Sequence, residues 1–179
     1  MDDINLAIDF DVTDDLIELY SHSTGDEFVG EKDGPLDLEQ AAAALNKIVL
    51  TGLYGKYPRL GIMKIYLGDK LVGFSMPRAV VKDEHEWFKL PTSLDYYRIG
   101  TVFIDPHYRC RGIMKAVIKQ FIATYSYVVW TCDVNNTGSA KSALSAGLEL
   151  KHLLYFNKEK KWFFEHNEDC VRTSLVYAN

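Results

Sequence analysis

The chain has 179 residues, 47% of them hydrophobic, and a formal net charge of −5. That size suits one globular domain with a substantial core and would be cramped for two, while the acidic balance argues against a broad nucleic-acid surface and leaves room for a cationic substrate. Three cysteines at unrelated spacings, and five histidines without HxxxH or CxxC spacing, give neither a disulfide framework nor a metal site, so reduced thiols and no metal are expected.

No apolar run approaches the roughly 18 to 20 residues of a membrane span, and the start MDDINLAIDFD lacks the charge pattern of a secretion signal. The expectation is a cytoplasmic protein without a membrane partner. Residues 5–10 predict an opening strand. Thr13 then stands as an N-cap, Asp14 and Asp15 favour the helix dipole, and Leu16, Ile17, Leu19 and Tyr20 make the apolar face of a first helix. Residues 24–36, rich in Gly and acidic side chains and holding Pro35, read as a loop, either functional or a plain surface connection. Asp37 and Gln40 have capping-box spacing, followed by a second helical stripe of Leu38, Ala41, Ala42, Leu45, Ile48 and Val49.

Residues 59–67 and 71–81 predict a hairpin that turns at Gly68 and Asp69, with Pro77 marking an edge or a bulge. Residues 82–95 are polar and carry Trp87 and Phe88, which either fold back onto the core or form a substrate lip. A fourth strand over 97–105 feeds a helix that opens at Gly112, and residues 127–133 give a strand with a fully buried look. Asn136 or Thr137 caps a short helix over 139–146, Gly147 ends it, and 148–156 with 161–166 form a final hairpin. A single domain over 1–166 and a tail over 167–179 complete the reading.

The stretch TVFIDPHYRCRGIMKAVI, residues 101–118, is a strand, a loop and a helix start. The pairs Ile113/Met114, Val117/Ile118 and Phe121/Ile122, then Tyr125, recur every four residues, with Lys115, Lys119 and Gln120 on the other face. A first helical turn leaves backbone N–H groups unpaired and carries about half a positive charge, which suits a phosphate. Arg109, Arg111 and Lys115 add cations, and Gly112 lets the backbone approach a ligand closely. The implied ligand is a phosphorylated cofactor; the alternative is ordinary connection chemistry.

The run DPHYRCRGIMKAVI resembles the acyl-CoA-binding segment of the GCN5-related N-acetyltransferase (GNAT) superfamily. In that segment a Gln or Arg, two residues, a Gly, one residue and a Gly or Ala cradle a pyrophosphate. Arg109, Cys110, Arg111, Gly112, Ile113 and Met114 occupy the frame, with Met114 in place of the small residue. A second signature, Asn136, Ser139 and Gly147, sits at the matching separation, with Leu148 where an aromatic is usual. The order β-α-α-β-β-β-α-β-α-β-β extends the resemblance over nearly the whole chain. It implies an α/β (α+β) fold with a central mixed, mostly antiparallel sheet of about seven strands flanked by four helices.

The resemblance also implies a function: acetyl transfer from acetyl-CoA, without metal, to an amine that attacks the thioester directly in a ternary complex. Val102, Phe103 and Ile104 would line the pantetheine arm, the N–H groups of residues 109–115 the pyrophosphate, and Asn136 the pantetheine or thioester side. The Ile104 N–H would stabilise the oxyanion. Lys141 is either a phosphate neighbour or a solvated lysine. The family's usual acid and base positions fall on Ala143 and Gly100, which can do neither. Tyr155 is the replacement candidate for the acid, and Asp95, Glu86 or His85 for the base, each against a purely structural role. Cys132 and Cys110 read as a buried inert thiol and a surface thiol.

The competing expectation is a catalytically impaired GNAT-fold module that binds CoA or a protein. The acceptor is an amine of unassigned identity, cationic or protein, and Asp26, Glu27, Glu31, Asp33, Glu84 and Glu86 favour a cation. Nucleic acid is not expected as a partner. The assembly is a monomer or a homodimer, since the last hairpin can pair within or between subunits.

Overall fold

The computed structural model describes residues 4–23, 36–51, 60–156 and 159–167. Five α-helices and nine strands follow in the order β1 (Ile4–Asp9), α1 (Asp14–His22), α2 (Leu38–Thr51), β2 (Ile62–Leu67), β3 (Lys70–Ser75), β4 (Arg78–Ala79), α3 (Lys82–Phe88), β5 (Tyr97–Arg98), β6 (Phe103–Ile104), α4 (Ile113–Thr124), β7 (Tyr127–Asp133), α5 (Thr137–Ala146), β8 (Glu149–Phe156) and β9 (Glu159–Asn167). A 3-10 turn, Pro106–Tyr108, separates β6 from α4. The chain divides into two compact units, residues 1–79 with 100–113 and residues 80–99 with 114–179.

The first unit is an antiparallel sheet in the order β1-β2-β3-β6. Its two helices start where the local chemistry puts them. Thr13 precedes α1 in extended conformation and its hydroxyl donates to Asp15 Oδ1. At α2, Gln40 N donates to Asp37 Oδ1 at 2.8 Å and Asp37 N to Gln40 Oε1 at 3.2 Å, a reciprocal pair that satisfies two backbone donors. Leu16, Leu19 and Tyr20 of α1 and Ala41 and Leu45 of α2 are buried with Ile62, Leu71, Phe74, Met76 and Phe103 of the sheet side. Each large apolar side chain so covered contributes about 1.5–3 kcal/mol relative to exposure.

Two strands deserve correction against the sequence pattern. The continuous strand expected over 71–81 stops at Ser75 and resumes as β4, broken at Met76 and Pro77, because proline cannot donate to a ladder. The strand expected over 97–105 is also two pieces, β5 and β6. Between them Thr101 takes φ +46°, and the Gly100 carbonyl turns aside to accept from Met76 N at 2.9 Å and from Ser75 Oγ at 3.0 Å. Where β6 pairs with β3, Gly73 faces Ile104, and a Cβ there would lie 2.6 Å from Ile104 Cδ1 and 2.7 Å from the Phe103 carbonyl oxygen. Only glycine permits that approach.

In the second unit β5 runs parallel to β7, and β7, β9 and β8 follow antiparallel. Its core gathers Val80, Phe88, Leu90, Tyr96, Val129, Leu154 and Phe163. Helix α4 buries Ile113, Val117, Ile118 and Phe121, the stripe expected from their spacing. Asn136 caps α5 by accepting from Ser139 N at 3.0 Å, and Gly147 ends it at φ +105°.

The polar segment 82–95 begins with helix α3, so among the described residues the helices number five rather than four. The cause is Glu84, which is buried and accepts from Val81 N at 3.2 Å, closing the first turn from inside. Lys89 ends the helix in the left-handed region at φ +59°. Trp87 and Phe88 stack on each other at 4.8 Å, and Phe88 stacks on Phe163 at 5.0 Å, so Phe88 is core. Among the described residues no helix is long and apolar enough to cross a membrane. The loop expected over 24–36 lies outside the described residues except for Leu36, as does the tail beyond Asn167.

Candidate functional site

The stretch leaving β6 is locked by its own hydrogen bonds. Asp105 N donates to the Val72 carbonyl at 2.9 Å, Tyr108 N to the Asp105 carbonyl at 2.9 Å, and Arg109 N to the Pro106 carbonyl at 3.3 Å. The Asp105 carboxylate accepts from His107 N at 2.9 Å and meets the His107 Nδ1 at 2.9 Å. Burial pushes the Asp105 carboxyl up, but the His107 backbone and ring contacts, with the charges of His107 and Lys70, outweigh it and hold the carboxyl below its ordinary value.

Beyond this lock the backbone twice enters the left-handed region, at Cys110 with φ +62° and at Gly112 with φ +78°. For cysteine that conformation costs about 1–2 kcal/mol. Such strain tends to collect at ligand sites. Among the described residues the N–H groups of 110–113 have no backbone partner. They stand where α4, a helix of 12 residues, begins, so unpaired donors and the positive end of a helix dipole coincide. A Cβ built on Gly112 meets nothing within 4 Å, so the space in front of the loop is open. An anion with several oxygens, such as a diphosphate, fits this donor set.

Side chains surround the turn. Arg109 Nε donates to the Ile104 carbonyl at 2.9 Å, and its guanidinium lies 5.8 Å from the Phe103 ring centroid. Arg111 donates to the His107 carbonyl at 3.3 Å. The Tyr108 ring has both the Lys70 ammonium and the Arg111 guanidinium 5.1 Å from its centroid. Lys70 and Tyr108 were not singled out in the sequence. An aromatic beside an arginine is its only local signal there, and Lys70 arrives from a distant strand.

The first unit thus brings together Val102, Phe103, Ile104, Arg109, Cys110, Arg111, Gly112 and the start of Ile113. Phe103 is 4% exposed and stacks on Phe74 at 5.8 Å, so its side chain is core and only its main chain can meet a ligand. In the second unit Met114 is half-buried and Lys115 and Lys141 are exposed. Asn136 already uses Oδ1 for the cap, leaving its Nδ2 as the donor. Cys132 is buried beside Trp130 and Ser139, and burial pushes its thiol up. Cys110 is exposed.

The acid and base candidates stand on separate elements. Tyr155 on β8 is 66% exposed, with the Lys160 ammonium 5.7 Å from its ring centroid. Asp95 and Glu86 are exposed. His85 is buried, bonded through Nδ1 to the Pro91 carbonyl at 2.9 Å and set edge-on to Tyr96 at 5.8 Å, the arrangement of a core histidine. Glu84, counted among acidic residues facing an acceptor, is instead 6% exposed and pairs with Arg98 at 3.5 Å. Asp26, Glu27, Glu31 and Asp33 lie outside the described residues. Among the described residues no three His, Cys, Asp or Glu side chains converge as a metal site would require.

No protein-family model matches the chain, and no curated protein sequence matches it. Solved structures do. The aminoglycoside acetyltransferase AAC(6')-Ib in complex with ribostamycin and coenzyme A superposes with a TM-score of 0.71 over 96% of this chain and 97% of that one, at 11% identity. The chain has the GNAT fold. A GNAT-family acetyltransferase from Bacillus anthracis gives a TM-score of 0.63 over 93% of this chain and 95% of that one, at 16% identity. The protein yncA from Salmonella typhimurium, with its cofactor acetyl-CoA, gives 0.58 over 93% and 94%, at 13% identity. At these identities the likeness is one of architecture.

Proposed function

We propose that the chain is an acyl-CoA-dependent N-acyltransferase that moves an acetyl group from acetyl-CoA to an amine by direct attack in a ternary complex. The observation that carries this is the N–H row of residues 110–113, set by two left-handed residues at the head of α4 in a chain of GNAT fold. Acetyl-CoA would supply the activated acyl group as a thioester. The donors of 110–113 hold its diphosphate, with Arg111 and Lys115 adding charge. The main chain of Val102, Phe103 and Ile104 runs beside the pantetheine arm, Ile104 N–H serves the developing oxyanion, and Asn136 Nδ2 serves the pantetheine or thioester side.

Tyr155 is the candidate acid and Asp95 the candidate base, both open to water. Two of the solved structures above hold coenzyme A or acetyl-CoA, and one also holds an aminoglycoside, an amine-rich cation. A cationic amine acceptor suits the net charge of −5. A second reading, a GNAT-fold protein that binds CoA without turnover, draws support from one feature. Where the family resemblance calls for a tyrosine, Ala143 is fully buried.

Calorimetry of acetyl-CoA binding, paired with a thiol-release assay over polyamines, aminoglycosides and peptides, separates these readings. A micromolar dissociation constant, about −8 kcal/mol, with amine-dependent thiol release supports transfer. Binding without release for any amine supports the second reading. Absence of binding refutes both.

A further inference from the structure

A pair of cations from distant parts of the chain meets beside the donor row. Lys70 opens β3, directly after the turn at Gly68 and Asp69, and Tyr108 closes the 3-10 turn. Two backbone bonds fix their approach: Asp105 N donates to the Val72 carbonyl, two residues past Lys70, at 2.9 Å, and Tyr108 N donates to the Asp105 carbonyl at 2.9 Å. On the half-buried Tyr108 ring the Lys70 ammonium and the Arg111 guanidinium converge, each 5.1 Å from the centroid, so the two charges lie no further apart than twice that distance. Like charges repel there, and the ring attracts each of them only weakly. Among the described residues neither has a carboxylate within ion-pair distance, and the Asp105 carboxylate is engaged by His107 N and Nδ1 at 2.9 Å each. Both cations are exposed, and Arg111 spends one donor on the His107 carbonyl at 3.3 Å, which leaves the rest of its fork open. The Tyr108 phenol first, then the charges of Asp105 and Glu18, hold the Lys70 ammonium above its ordinary value.

We propose that Lys70 and Arg111, gathered on the Tyr108 ring, form a second anion site that takes a phosphate monoester beside the 110–113 donor row. Such a group carries about −1.5 to −2 charges near neutral pH and three acceptor oxygens, which matches two cations with open N–H donors. The row itself is made of neutral backbone dipoles, so it holds a diphosphate without sensing a further phosphate elsewhere on the molecule. The side-chain charges supply that discrimination. On the acyl-CoA reading above, on which the identity of the ligand rests, the monoester is the 3′-phosphate of the ribose, and the site selects CoA thioesters over their dephospho forms. A free phosphate offers the same chemistry from another source. Lys70 is the specificity-determining residue of the pair, because it reaches in from β3 and belongs to no part of the row, whereas Arg111 contributes its own N–H to it.

The experiment measures the affinities of acetyl-CoA and 3′-dephospho-acetyl-CoA for the native chain, Lys70→Gln, Lys70→Arg and the double variant Lys70→Gln with Arg111→Gln, by calorimetry at low and high salt. The native chain should prefer acetyl-CoA about tenfold at low salt, and high salt should shrink that preference. Lys70→Gln should weaken acetyl-CoA about three- to fivefold and leave the dephospho form within about twofold, while Lys70→Arg, which keeps the charge, stays within about twofold for both. The double variant should bind the two nucleotides alike. A native chain that does not distinguish them, or a Lys70→Gln loss that is equal for both, overturns the proposal. If the native chain binds neither nucleotide, the transferase reading falls and inorganic phosphate becomes the probe. Tyr108 ring resonances that shift and saturate with phosphate in the native chain, and not in Lys70→Gln, then support the anion site alone; unmoved resonances overturn it. Thermal unfolding of each variant separates a local change from loss of the fold.

Discussion

Gly112 gives the sharpest test of the anion cradle, because three substitutions there separate strain from charge. With φ at +78° and nothing within 4 Å of a built Cβ, Gly112→Ala meets no atom and reports backbone strain alone. That strain is about 1–2 kcal/mol, which for a chain of this size lowers Tm by roughly 2–8 °C. Asparagine tolerates the left-handed region better, so Gly112→Asn should unfold closer to the native temperature. Gly112→Asp has nearly the shape of Gly112→Asn and adds one negative charge in front of the donor row. At about 6 Å from a bound phosphate, with an effective dielectric constant between about 20 and 80, the repulsion is about 0.7–2.8 kcal/mol. The difference in acetyl-CoA affinity between the Asp and Asn variants is then about 3- to 100-fold. Isothermal calorimetry of the four proteins in low salt measures it, and high salt should shrink the gap. Equal affinities for the Asp and Asn variants at low salt would show that no anion sits at this turn.

Three further outcomes follow from the scaffold. Asp37→Ala removes the acceptor for Gln40 N at 2.8 Å and should destabilise the chain by about 1 kcal/mol in urea unfolding, with Asp37→Asn recovering most of the loss. Asp9→Asn leaves the buried Lys64 ammonium without its carboxylate at 2.8 Å, at a cost of about 1–2 kcal/mol once the partial exposure of Asp9 is allowed for. Burial pushes the Asp9 carboxyl up, but the Lys64 bond, the Asp11 N–H and the Lys64 charge outweigh it, so its folded value is lowered. Its contribution is therefore present at neutral pH and lost as pH falls through that lowered value, and acid unfolding of Asp9→Asn should lack this component. The Tyr96 hydroxyl, buried and donating to Glu165 at 2.6 Å, is pushed well above the ordinary phenol value by burial first and the carboxylate second. Its stabilisation is complete below pH about 10 and lost as pH rises beyond it, an alkaline sensitivity that Tyr96→Phe should remove.

What could be read from the sequence is what neighbours along the chain decide. The Asp37–Gln40 box, the Asn136 cap and the stripe of α4 each need only residues three or four apart, and each stands where the spacing put it. Helix α3 was hidden because only half of a capping signal is present: Glu84 accepts from Val81 N three residues earlier, but valine offers no side-chain cap, and the burial of Glu84 beside Arg98 comes from the fold. The same burial removes Glu84 from any acceptor surface. The break between β5 and β6 was hidden too, since the Gly100 carbonyl is turned by Met76 and Ser75, some 25 residues away. At the candidate site the arginines and Gly112 marked the turn in advance. Nothing marked Cys110 as left-handed, because cysteine has no preference for that region, and nothing predicted that Arg109 would reach back to Ile104.

The absence of a tyrosine and a glutamate at the family's acid and base positions bears on the proposed transfer through magnitudes. Ala143 is fully buried, and a Cβ added to Gly100 would lie 3.2 Å from the Met76 carbonyl oxygen, so the packing at both positions is built for small residues. Restoring either large side chain would overpack the site and cost about 1–3 kcal/mol before it could act. General acid or base catalysis is worth about 10²- to 10⁴-fold, or about 3–5.5 kcal/mol. Holding two reactants in attack geometry is worth about 7–11 kcal/mol. A transferase on this scaffold therefore keeps the larger share of its acceleration through positioning, with the smaller share left to the water-exposed candidates Tyr155 and Asp95 and to water itself. Its rate should then rise with pH as the free amine of the acceptor accumulates, following the acceptor's own pKa, and a profile that instead tracks one pKa across acceptors of different basicity would place a dedicated base in the chain.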